Sequence, residues 1–265
     1  MTPQVTLNER FVTIEDILYL FCDRRFAQVA RRFRDQFASA SPFPHAVIDE
    51  FLPVEFALAI YQGYPKVTDG IVHHDNVNTS RKLQSDVGKF SPILRGFSSA
   101  LASREFILFL ETLTGIDCLI PDPYLFGGGA MISENGDFLN IHEDFNWHFQ
   151  LQLHRRVNVL LYLTPEWKQE YGGNLELFDS EHKVKEVEPR FNRLVVFATP
   201  GANHGQPVPV KAPPGVQRRV FSAFFYTSRS SDDQWNDPHF TKYLPTNFEL
   251  GMRMKSDYES SGIDY

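Results

Sequence analysis

The chain has 265 residues, 42% of them hydrophobic, with a net charge of −7. That length and apolar content suit one structural unit with a substantial core. The acidic balance and the lack of a basic tract argue against a nucleic-acid partner. Apolar runs such as VNVLLYL are too short to span a membrane, and MTPQVTLNER lacks the basic start and apolar stretch of a signal peptide. Two distant cysteines, Cys22 and Cys118, have no metal-type or disulfide spacing and are expected to be buried or inert. The expectation is a cytoplasmic protein without membrane contact.

Residues 13–40 place Ile14, Ile17, Leu18, Phe21, Phe26, Val29, Ala30, Phe33 and Phe37 at steps of three and four. This is the amphipathic-helix period. Thr13 with Asp16 has the form of an N-cap with an acid in the first turn. HAVIDEF reads as a strand after two prolines, and PVEFALAIYQGYP as a short helix closed by Gly and Pro. The polar stretch VTDGIVHHDNVNTSRKLQSDVGKF is expected to be a surface loop, with HHDN at 73–76 as a loop rather than a metal site. SPILRGFSSALASREFILFLETLTG gives one or two further helices.

From Asp122 the texture changes. GGAMISE, FLNIHED, RRVNVLLYLT, GNLELFD, KVKEVEP, RLVVFAT, GQPVPV and RRVFSAFFYT are short apolar runs separated by turn residues. Eight strands without alternating helices predict a double-sheet jelly roll. The expected class is mainly β with N-terminal helices (α+β). Residues 1–121 form a helical region packed on the core, 122–228 the core, and 229–265 a polar extension, all in one unit.

His142 and Asp144 sit two apart in a predicted strand, so they share a face and Glu143 points away. His204 follows the strand RLVVFAT. Two histidines and a carboxylate form the facial triad of non-haem Fe(II) oxygenases, which leaves positions open for co-substrate and O₂. Such a site needs a cation for the co-substrate's distal carboxylate, and arginine's planar fork suits it. Arg218 and Arg219 open the next strand. Alternation lets only one face the metal. Arg218 shares its face with Ser222, which favours it, with Arg219 as the alternative.

These segments together carry a family resemblance. HED at 142–144, RRVNVLLYLTPEW at 155–167, YGGNLELF at 171–178, VEPRFNRLVVF at 187–197, NHGQPVPV at 203–210 and RRVFSAFFYT at 218–227 stand in matching order. Gly129–Thr227 resembles the 2-oxoglutarate/Fe(II)-dependent dioxygenases, in their prolyl 4-hydroxylase-like branch, and PFPHAVIDEFL is similar to the start of such domains. The resemblance implies a distorted double-stranded β-helix (cupin-like), Fe(II) held by His142, Asp144 and His204, and 2-oxoglutarate held by Arg218. Tyr162 matches a tyrosine lining the co-substrate pocket, whereas Asn135 stands near where this branch often has a tyrosine. O₂ is the second co-substrate, and ascorbate a supporting reductant. The implied reaction hydroxylates an unactivated C–H bond in a prolyl or other amino-acid or peptide side chain, or in a small natural-product intermediate, and releases succinate and CO₂.

His148, Trp147 and Arg155 are candidate substrate contacts, and the loops at 66–90 and 145–155 are expected to set the substrate. Gly172 and Gly173 are expected to turn the chain at positive φ. The competing readings are a jelly-roll protein that binds a ligand or senses oxygen or metal without turnover, and a zinc-dependent cupin.

Overall fold

The computed structural model describes residues 11–67, 71–76, 78–85, 87–179, 183–229 and 237–244. The predicted first helix is two. α1 (Ile14–Leu18) starts at a full capping box, with Thr13 and Asp16 exchanging side-chain-to-backbone bonds. A single 3₁₀ turn then leads to Asp23, which is extended and accepts from the Arg25 amide, so capping α2 (Arg24–Ser39). α3 (Val54–Gln62) follows β1 (His45–Ile48), and α4 (Pro92–Leu101) and α5 (Arg104–Thr114) each start at a capping serine, Ser91 and Ser103.

The stretch expected as a surface loop is instead a hairpin of β2 (Ile71–Asn76) and β3 (Thr79–Ser85). HHDN therefore lies in a strand. β3 joins the core by pairing Leu83 with Ile132 and Thr79 with Leu139. That partnership is long-range, so the local sequence could not display it.

The remaining strands are β4 (Ile120–Pro121), β5 (Gly129–Ser133), β6 (Leu139–Glu143), β7 (Trp147–His148), β8 (Leu153–Tyr162), β9 (Leu175–Phe178), β10 (Lys183–Val187), β11 (Arg193–Ala198), β12 (Asn203–Gln206), β13 (Arg218–Thr227) and β14 (Lys242–Tyr243). The pairing order is β1-β11-β8-β13-β5-β3-β6-β12-β9-β10, all antiparallel, with β2, β4, β7 and β14 attached at the side. Only Gly205 and Gln206 of GQPVPV are in a strand. β12 ends at Gln206, because Pro207 and Pro209 carry no N–H for a ladder.

The sheet is rolled on itself. Tyr162, Val195, Phe197 and Val220 from one half pack with Leu175, Leu177 and Val187 from the other in one inner cluster. Alternation sends the intervening residues outward. Val157, Val159, Leu161, Leu194, Val196, Phe221, Ala223 and Phe225 meet the helices in a second cluster with Phe26, Phe51, Phe97, Phe106 and Phe109. Ring contacts continue from Phe21 and Phe106 to Phe225. The helices thus back the outer face of the sheet and leave its inner face for the site. Among the described residues, no helix is long and apolar enough to cross a membrane.

Candidate metal and co-substrate site

β6 and β12 are antiparallel neighbours with His142 directly opposite His204. Gly205 makes this approach possible. A Cβ there would lie 2.7 Å from the Asn140 carbonyl oxygen and 2.8 Å from that of Leu139, both rigid backbone atoms. Asp144 follows the end of β6 and turns back toward both rings. The His142 Nε2 is 3.4 Å from Asp144 Oδ1, and the His204 Nε2 is 3.5 Å from Oδ2. One ligand atom from each residue lies within 4.8 Å of the others. Glu143 points the other way, accepting from the Gly201 amide and facing His239 and Lys242.

The histidine tautomers follow from the partners. His142 Nδ1 lies 2.8 Å from the Asn140 carbonyl and His204 Nδ1 2.9 Å from that of Ala202. A carbonyl only accepts, so each Nδ1 carries a proton and Nε2 is the nitrogen each ring can offer a metal. Burial lowers the pKa of His204 to about 4 and keeps the ring neutral. Burial opposes ionisation of Asp144, but Arg155, His204 and His142 outweigh it and hold the carboxyl well below the usual range. Two imidazoles and one carboxylate are the donor set suited to Fe(II).

Asp144 is held from behind. Arg155 Nη2 donates to Oδ2 at 2.9 Å, and Asn158 Nδ2 donates to the same oxygen at 2.7 Å. Arg155 Nε donates to Asn158 Oδ1, closing the triangle. The guanidinium stacks on Phe224 at 3.5 Å and Phe145 at 4.4 Å from the ring centroids. Arg155, a candidate substrate contact, is a buried partner of Asp144 and also lines a cleft on the Glu143 side of β6. His148 and Trp147, the other two candidate substrate contacts, form β7. Both are buried in β7, His148 against Asp122, Tyr124, Phe126 and Tyr226, and Trp147 edge-on to His154.

Arg218 and Arg219 separate by alternation. Arg219 faces outward over Tyr61 and Tyr64 and donates to the Tyr61 carbonyl and the Gln217 side chain. Arg218 faces inward beside the buried Tyr162, whose hydroxyl lies 3.4 Å from Nη2. Its Nε is buried and has no hydrogen-bond partner among the described residues. Burial lowers its pKa, opposed by Tyr162 and Tyr64. Gly173, at φ +69°, makes room: a Cβ there would meet Arg218 Cδ at 3.0 Å. A buried guanidinium with an unfilled donor and a glycine clearing space beside it fit an anionic carboxylate ligand. Ser222 is buried on the same strand face, but its hydroxyl makes no hydrogen bond to Arg218. Gly172 shares the positive φ expected of the pair. Cys22 and Cys118, expected to be buried or inert, are exposed free thiols.

Sequence reasoning missed Asn158 as a partner of Asp144, the space-making roles of Gly173 and Gly205, and β14. Lys242 and Tyr243 of β14 pair with Glu143 and His142.

Residues 128–227 match the family model described as the 2OG-Fe(II) oxygenase superfamily, a span that includes His142, Asp144, His204 and Arg218. Over these residues the chain is similar to that superfamily. The mouse (Mus musculus) prolyl 3-hydroxylase OGFOD1 is 28% identical over 165 residues, 59% of this chain. The chain matches only 28% of that relative's length. A prolyl-4-hydroxylase from Pseudomonas putida superposes with a TM-score of 0.53 at 19% identity, covering 74% of this chain and 98% of the other. A Trichoplax adhaerens prolyl hydroxylase, solved with a hypoxia inducible factor peptide fragment, gives a TM-score of 0.51 at 19% identity, with 77% and 91% covered. The structural likenesses establish the double-stranded β-helix fold that the family resemblance implies.

Proposed function

We propose that this protein is a 2-oxoglutarate- and Fe(II)-dependent hydroxylase in which His142, Asp144 and His204 bind the iron and Arg218 binds the distal carboxylate of 2-oxoglutarate. The observation that carries this reading is the meeting of two Nε2 atoms and one carboxylate within 4.8 Å, with both Nδ1 protons already committed. Fe(II), when bound with 2-oxoglutarate and O₂, supplies the oxidising power for an unactivated C–H bond.

The chain's own residues bind and orient. Arg155 and Asn158 fix the Asp144 carboxylate by charge-assisted bonds. Phe197, whose ring centroid lies 4.6 Å from that of His204, gives that imidazole an apolar wall. Tyr162 and Arg218 form the polar end of an otherwise apolar interior, which excludes water from the co-substrate. The similarity to prolyl hydroxylases favours a peptidyl or free amino-acid substrate, though the fold itself fixes none.

The test is anaerobic Fe(II) titration followed by succinate release from 2-oxoglutarate, with candidate substrates examined by mass spectrometry for the gain of one oxygen atom. Saturable Fe(II) binding with Fe(II)-dependent succinate release supports the assignment. A protein that binds Fe(II) but leaves 2-oxoglutarate intact with every substrate overturns it.

A further inference from the structure

Behind the Asp144 carboxylate lies a second buried polar group, Asp122, His148, Arg155 and Tyr226, of which the proposed chemistry uses only Arg155. Separate elements bring these residues together. Asp122 follows β4, His148 is in β7, Arg155 in β8 and Tyr226 in β13. Tyr226 stands directly opposite Arg155 in the β8–β13 ladder. The His148 ring is edge-on to the Tyr226 ring at 5.3 Å between centroids. Its Nε2 lies 3.5 Å from Asp122 Oδ2, long for a direct hydrogen bond.

Three polar atoms of this group have no hydrogen-bond partner among the described residues: His148 Nε2, Arg155 Nη1 and Tyr226 Oη. His148 Nδ1 accepts from the Leu151 amide at 3.2 Å, so the proton sits on Nε2. The other two nitrogens of the Arg155 guanidinium donate to Asn158 and Asp144, which leaves Nη1 as its remaining donor. Burial pushes the pKa of Tyr226 up, against the pull of Arg155, and Asp122 and Asp144 add to the rise, so the hydroxyl keeps its proton. Asp122 Oδ1 and Oδ2 accept from the Tyr124 and Phe126 amides at 2.8 and 2.7 Å, and each oxygen keeps a second lone pair. Buried polar atoms are rarely left unbonded, and an ordered water with about two to four polar partners is the usual solution.

The charges select the occupant. Arg155 disfavours a cation and Asp122 an anion, so the occupant is neutral. Arg155 Nη1 and His148 Nε2 donate, while Asp122 and the Tyr226 oxygen accept. Two donors and two acceptors are the complement of one water molecule. We propose that Asp122, His148, Arg155 and Tyr226 bind one internal water, through which His148 and Tyr226 act as positioning residues that hold Arg155 against Asp144. Arg155 Nη2 meets Asp144 Oδ2 at 2.9 Å, so fixing the guanidinium fixes the carboxylate. The effect on iron rests on the metal-site reading above, whereas the water site does not need iron.

The first measurement is a crystal structure of the unaltered, metal-free full chain at atomic resolution. One water within hydrogen-bond distance of His148 Nε2, Arg155 Nη1 and Tyr226 Oη is expected. Ordered side chains with no water between them overturn the proposal. The second measurement is anaerobic Fe(II) titration of Tyr226→Phe, His148→Leu and the double variant. Each single change is expected to weaken Fe(II) binding about tenfold, as outer-shell changes do. The double variant also loses about tenfold, because both residues act through one water. A loss of about a hundredfold in the double variant, the additive result, overturns the shared water, as does unaltered affinity in both single variants. His148→Gln keeps a donor and recovers most of the affinity, and a loss equal to that of His148→Leu counts against the bridge. The crystal structure and Tyr226→Phe decide the matter even where His148→Leu does not fold. Failure of the unaltered protein to bind Fe(II) strikes the metal-site reading instead, and the metal-free crystal structure still decides whether the water is bound.

Discussion

The two faces of β8, β11 and β13 are built from the same kind of sequence and do different work. Outward residues such as Val159, Val196 and Phe225 meet helices in an apolar cluster. Inward residues such as Tyr162, Phe197 and Val220 form a smaller cluster bordered by Arg218 and His204. The difference teaches that stability and chemistry are separated by a single residue step. Arg218 and Arg219 show this most sharply, since one turns to the buried interior and the other to Tyr61 and Tyr64.

Several substitutions probe that separation. The largest effect is expected from His142→Ala or Asp144→Ala. Each is predicted to weaken Fe(II) binding beyond the roughly 10–100-fold caused by outer-shell changes and to abolish succinate release, while thermal unfolding of the metal-free protein shows a folded chain. Full activity in either variant would remove the metal assignment. Phe106→Ala acts on the other face. Burial of this ring predicts a loss of about 3–5 kcal/mol in denaturant unfolding, with Fe(II) affinity of the folded fraction retained. A matching loss of metal affinity would show that the two faces are coupled.

Arg218→Ala is expected to raise the KM for 2-oxoglutarate strongly with Fe(II) affinity little changed, whereas Arg219→Ala lowers the unfolding temperature and leaves that KM nearly alone. The reverse result would invert the strand register. Gly173→Ala should produce a milder version, because its φ of +69° costs an L-residue about 1–2 kcal/mol and its Cβ presses on Arg218. Steady-state 2-oxoglutarate kinetics check both pairs.

A further effect concerns pH. The folded pKa of His204 is lowered to about 4 from the ordinary 6.5, so the unfolded chain takes up this proton first on acidification. This group's contribution therefore makes the metal-free protein less stable as pH falls from 6.5 toward 4 and adds no slope above 6.5. Nitrogen-detected NMR should find His204 neutral with a protonated Nδ1 at pH 6. An imidazolium signal there would contradict the buried, carbonyl-bonded geometry.

Alternation and spacing in the sequence determined which residues share a face. That was enough to pair His142 with Asp144, to turn Glu143 away and to favour Arg218 over Arg219. It also determined most core strands, because their apolar runs are bounded by glycine, asparagine and proline. Only the tertiary structure decided what lies opposite each strand. The roles of Arg155, Asn158, Gly173 and Gly205 depend on atoms brought close by folding, and no local pattern marks such distances. The hairpin of β2 and β3 and the attachment of residues 237–244 were hidden for the same reason: their partners Ile132, Leu139 and Asn146 lie tens of residues away in the chain. Periodicity reports which way a side chain faces, and packing decides what it meets.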